Sequence, residues 1–88
     1  MITLEKLEIF VKYRGDVDGW VRSRDPREHA VMADEDWSVL MHLFSEVVSW
    51  KKGLVSEEYA QRIAARFESL VADDAKDLFL ANIPWRFD

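Results

Sequence analysis

Two apolar runs of helical period, separated by a short break, constrain this chain more than any other feature. From Glu35 to Lys52, the residues Trp37, Leu40, Met41, Phe44, Val47 and Val48 recur at the spacing of one helix face. Val39, Leu43 and Trp50 widen that face, leaving Ser38, His42, Ser45, Glu46 and Ser49 as a narrow wet stripe. A helix this apolar belongs at the centre of a domain. From Glu57 to Ala72 a second run repeats Tyr59, Ala60, Ile63, Phe67, Leu70 and Val71. Asp34 and Ser56 are the N-cap candidates. Between the runs, Gly53 supplies the stop, with Leu54 as the hydrophobic contact of a Schellman end. So short a break predicts an antiparallel hairpin, 35–52 against 57–72.

The remaining segments read as shorter helices around that hairpin. Thr3 caps a helix from Leu4 to Arg14 with Leu4, Leu7, Phe10 and Val11 inward, and Gly15 occupies its C′ position. Val17 to Ser23 forms a short helix whose inner face is Val17, Trp20 and Val21. Asp25-Pro26-Arg27-Glu28 is a helix-start signal, yet residues 25–33 read equally as helix or loop. Asp74 caps a last helix, Ala75 to Ala81, buried through Leu78 and Phe79. The tail 83–88 is short and aromatic. No stretch reads as a strand. The expectation is all-α: one helical domain over 1–88, a compact bundle of about five helices, two of them short.

With 49% apolar residues and four Trp, such a bundle has a core to build. The absence of Cys excludes disulfides, thiolate chemistry and Cys-based zinc sites. No run approaches the roughly 18 apolar residues of a membrane span, and the first residues lack the pattern of a signal peptide. A cytoplasmic protein is the expectation.

Arg14-Gly15-Asp16-Val17-Asp18-Gly19 carries fragments of two known motifs. As a calcium loop it places Arg14 at the first ligand position and Asp25 where a bidentate Glu is required, so calcium is rejected. As an adhesion tripeptide it lacks any sign of export. Helix punctuation accounts for it: Gly15 stops one helix, Asp16 caps the next, and Asp18 complements the dipole. Gly19, unfavourable in a helix interior, implies close approach of a neighbouring backbone.

Catalytic constellations are equally thin. The two histidines, His29 and His42, sit in no metal or nucleophile motif. Ser38, His42, Ser45 and Glu46 share a helix face, but nothing supplies an oxyanion hole. No enzyme activity, cofactor or metal is expected.

The charge balance, 12 basic against 17 acidic residues, disfavours nucleic acid and anionic membrane as partners. The predicted hairpin gathers acids at one pole: Asp34, Glu35, Asp36, Glu68, Asp73, Asp74 and Asp77, offset only by Arg66 and Lys76. Trp50 and Trp85 are aromatic candidates for the same partner surface. The sequence thus points to a non-catalytic interaction module that docks a basic protein, an inhibitor or immunity-type protein being one form. Two alternatives stand beside it: a DNA-associated regulator using Arg22, Arg24 and Arg27, and a homodimeric structural module.

Overall fold

The computed structural model describes residues 1–83; of the predicted tail 83–88, Ile83 is described and buried, while 84–88, Trp85 among them, lie outside the described residues. Among the described residues six α-helices follow in order: α1 (Leu4–Lys12), α2 (Val17–Ser23), α3 (Pro26–Val31), α4 (Asp34–Lys51), α5 (Glu57–Leu70) and α6 (Lys76–Ala81), with a 3-10 turn at Asp73–Ala75 before α6. The all-α class holds, and within residues 25–33 a helix spans Pro26–Val31 with extended residues on either side.

Local chemistry sets most of these boundaries. Thr3, Asp16, Asp25 and Ser56 accept backbone N–H bonds at the starts of α1, α2, α3 and α5. Two predicted caps are corrected. Ala33, not Asp34, is the N-cap of α4, because the Asp36 carboxylate reaches back to the Ala33 N–H at 2.9 Å. Asp74 caps nothing; it lies inside the 3-10 turn, and Ala75 precedes α6.

The helix ends are equally specific. Gly53, at φ 72°, closes α4 in a Schellman motif: Gly53 N–H donates to Trp50 C=O and Leu54 N–H to Ser49 C=O, both at 2.9 Å. Leu54 does not make the predicted hydrophobic contact. It is 72% exposed, and Val55 packs on the core instead. α1 ends at Lys12, two residues earlier than predicted, and its C′ position moves from Gly15 to Arg14. Arg14 takes the left-handed C′ position at φ 52°, and Gly15 N–H donates to Phe10 C=O at 3.1 Å.

α4 and α5 pack as the hairpin, and α4 buries Trp37, Leu40, Leu43, Phe44 and Val47. The central position is shared, however. α1 packs against α3, α4, α6 and the 3-10 turn. It buries Leu7 and Phe10 completely, and also Ile9, which lay outside the predicted stripe. The core is threaded by an aromatic file. Trp20 lies 5.3 Å from Trp37, Trp37 5.5 Å from Phe10, Phe10 5.0 Å from Phe44, Phe44 4.0 Å from Phe79, and Phe79 5.1 Å from Phe67. Side chains from α1, α2, α4, α5 and α6 thus meet ring to ring.

Two features depart from the helical expectation. α5 stops at Leu70, and Val71 continues in extended form as a one-residue parallel bridge to Ile2. Ile2 N–H donates to Leu70 C=O at 2.6 Å, Ala72 N–H to Ile2 C=O at 2.9 Å, and the Ile2 side chain is buried. On α2, only Trp20 turns inward; Val17 and Val21 are exposed. A helix of seven residues buries one side chain here because Trp20 alone reaches Trp37 and His29.

Candidate functional site

The helix starts determine where the predicted acids fall. The Ile2–Val71 bridge fixes the beginning of α1 beside the end of α5. Lys6 of α1 donates to Asp36 of α4 at 3.2 Å, bringing the beginning of α4 to the same place. Three helix ends and the 3-10 turn therefore converge. Asp34, Glu35 and Asp36 occupy the first turn of α4, and Asp77 the first turn of α6, where carboxylates complement the helix dipoles. Glu5, in the first turn of α1, belongs to the same end. It escaped sequence reasoning because only the long-range Ile2–Val71 pairing places it there.

Within this end the acids divide into two kinds. Lys76 Nζ bridges Asp73 and Glu68 at 2.6 and 2.8 Å, and Lys6 holds Asp36. Asp73 is held below the usual carboxylate range by the hydrogen bond from Lys76, whose own ammonium is raised by Asp73 and then Glu68. Asp34, Glu35, Asp74 and Asp77 are exposed and have no side-chain partner among the described residues. Arg66, expected at this pole, is drawn instead to Glu46 on α4, which also accepts from the Tyr59 hydroxyl at 3.0 Å. The end is therefore more acidic than the sequence count implied. Among the described residues, no three carboxylates or imidazoles form a group able to hold a metal ion.

A second polar site was missed altogether. Glu28, read from sequence as a first-turn acid, is 8% exposed and accepts from Lys12 Nζ and the Tyr13 hydroxyl, both at 2.6 Å. Lys12, then Tyr13, hold the Glu28 carboxyl below the usual carboxylate range, and Glu28 raises the Lys12 ammonium. The α1 and α3 surfaces flank an open cleft of about 300 Å³ lined by Glu5, Glu8, Ile9, Lys12, Asp25, Arg27 and Glu28. No sequence signal marks Glu28, since its role depends on two residues from another helix.

The other candidates take ordinary places. Trp50 is half-buried against the core, with Lys51 Nζ 4.2 Å from its ring centre. His42 Nδ1 lies 2.8 Å from the Ser38 carbonyl of its own helix, the hydrogen bond of a solvated helix face. Arg22 approaches Asp16 at 3.9 Å, and Arg27 lines the cleft. The close approach at Gly19 comes from a side chain rather than a backbone: a Cβ there would stand 2.9 Å from Asp16 Oδ2. Among the described residues, no helix is long and apolar enough to cross a membrane.

No protein-family model matches this chain, and neither the curated proteins nor the solved structures contain a match to it.

Proposed function

We propose that this chain is a small non-catalytic interaction module that docks a basic protein in the cytoplasm, through the end where α1, α4 and α6 begin. One observation carries the reading. Asp34, Glu35, Asp74 and Asp77 stand exposed without a cationic partner among the described residues, while the neighbouring acids are occupied by Lys6 and Lys76. Exposed carboxylates at one end create a directed field that steers a positively charged surface and fixes its orientation. An inhibitor or immunity-type protein acting on a basic toxin or nuclease is one concrete form.

The test is affinity capture from source cells with the wild-type chain and with Asp34→Asn/Glu35→Gln/Asp74→Asn/Asp77→Asn. Binding to the identified partner is then measured directly at low and high salt. Capture by the wild type alone, weakened by salt, is the expected result. A partner held equally by both forms overturns the reading. The DNA-associated alternative draws on Arg24 and Arg27, which have no ion-pair partner among the described residues. A mobility shift of duplex DNA at low salt, abolished by Arg24→Ala/Arg27→Ala, would favour it.

A further inference from the structure

We infer that α2 is a hinged flap, pinned by Trp20, that opens as a unit and uncovers Trp37 while the rest of the bundle stays folded. Four observations converge on this segment.

First, α2 gives the core one side chain. Trp20 is 3% exposed, but Val17 and Val21 are exposed, and no other apolar residue of α2 packs on the core. Second, α2 is absent from the helix pairs that pack along their lengths, which join α1 to α3, α4 and α6, and α4 to α5. Third, both ends of the segment sit in a costly backbone conformation. Arg14 and Arg24, each at φ 52°, are the non-glycine residues with positive φ among the described residues, and they flank α2 on either side. A side chain in the left-handed region is sterically disfavoured, so both joints carry a backbone cost that the few contacts of α2 must help to offset. Fourth, the Trp20 indole N–H is buried with no acceptor among the described residues, so its docked state forgoes a hydrogen bond that water supplies on opening.

What holds the flap down is equally local. Trp20 meets Trp37 at a tilt, ring centres 5.3 Å apart, and stacks in parallel at 4.0 Å on the His29 imidazole. His29 Nε2 donates to the Trp20 carbonyl at 2.9 Å. Opening removes Trp20 from Trp37, which is itself only 3% exposed and follows Asp36 in the first turns of α4. An aromatic surface would then appear beside the acidic end. Segments held by few buried apolar contacts are those that open with the smallest free energy. The inference concerns the free chain and stands whether or not a basic partner exists.

Native-state amide hydrogen exchange of the whole chain tests it, across a urea series below the unfolding transition. The amides of Trp20 to Ser23 are expected to show protection lower than that of the α4 amides by on the order of 100-fold or more, with little urea dependence, as for local opening. The α4 amides should follow global unfolding. Phe79→Leu, on α6 and four links along the aromatic file from Trp20, then separates the two processes. It is expected to lower α4 protection about ten-fold and leave α2 protection unchanged, because opening α2 does not disturb Phe79. Trp20→Phe is expected to lower α2 protection about ten-fold. If the α2 amides match α4 in protection and urea dependence, or fall with α4 in Phe79→Leu, the flap does not exist. Should Phe79→Leu fail to fold, the wild-type urea series decides alone.

Discussion

The Tyr13 hydroxyl donates to the Glu28 carboxylate at 2.6 Å, joining the last residue before the α1 turn to the middle of α3. Lys12 donates to the other carboxylate oxygen, so Glu28 is the point at which α3 is fastened to α1. Tyr13→Phe removes one bond to a charged acceptor and leaves the ring in place against Trp37. A loss of about 1.5 kcal/mol in urea unfolding is expected. A loss below about 0.3 kcal/mol would mean that the bond is exchanged for water at no cost.

The same carboxylate sets a pH dependence. Its folded pKa lies below the unfolded value, so its stabilisation is present above the ordinary carboxylate range. It is lost as pH falls through the depressed folded pKa. Asp73 acts in the same sense through Lys76. Lys12 runs the other way: raised by Glu28, it stabilises below the ordinary lysine value and is lost as pH rises through its folded pKa. Glu28→Gln should therefore be less stable than wild type near neutrality, with the gap closing in acid. A gap that persists unchanged well below the carboxylate range contradicts this account.

Ile2 is predicted to matter far more than its place near the chain start implies. Its side chain is 2% exposed and its backbone makes two hydrogen bonds to the end of α5. Ile2→Ala should cost about 2–4 kcal/mol by chemical denaturation, and Ile2→Val about 1 kcal/mol. Met1, 74% exposed, should tolerate polar replacement with no measurable change.

Asp16 and Gly19 are predicted to be coupled. Alanine at 19 raises helix propensity by about 1 kcal/mol, but its Cβ presses on the Asp16 carboxylate that caps α2. Gly19→Ala alone should be close to neutral. In an Asp16→Ala background, where the cap is already lost, it should stabilise by up to about 1 kcal/mol. A double-mutant cycle in urea reads the difference, and additivity of the two changes would show that the crowding is relieved freely.

The α4–α5 turn separates backbone from side chain. Gly53→Ala forces a Cβ into φ 72° and should cost about 1–2 kcal/mol. Leu54→Ser should change stability by less than about 0.5 kcal/mol, since the side chain is exposed. A larger loss for Leu54→Ser, measured by thermal unfolding, would restore the hydrophobic contact that the Schellman sequence suggests.

These residues also show what was legible in the sequence. The α4–α5 hairpin was, because apolar periodicity and a Gly stop are local signals. So were the caps Thr3, Asp16, Asp25 and Ser56, where a short polar side chain has one favourable use. Misreadings arose where a distant partner decides. Val17 and Val21 have the spacing of a buried face, but no neighbour among the described residues covers them. Glu28 resembles an exposed first-turn acid until Lys12 and Tyr13 arrive from α1. Of the predicted partner surface, the clustering at the starts of α4 and α6 was readable from helix order. Arg66 was misplaced, because its pairing with Glu46 depends on how the two long helices face each other. Trp85 lies outside the described residues.

The Ile2–Val71 bridge also bears on the order of folding. Most helices here are joined by short turns and find their neighbours locally, which favours fast assembly. The bridge closes a loop of nearly the whole described chain, and loop closure of that length carries its entropy cost before any reward. On the ribosome, Ile2 emerges early, yet its hydrogen-bonding partners are made only when α5 is complete. The Ile2 end of α1 therefore gains these two hydrogen bonds only once the chain has grown past residue 72.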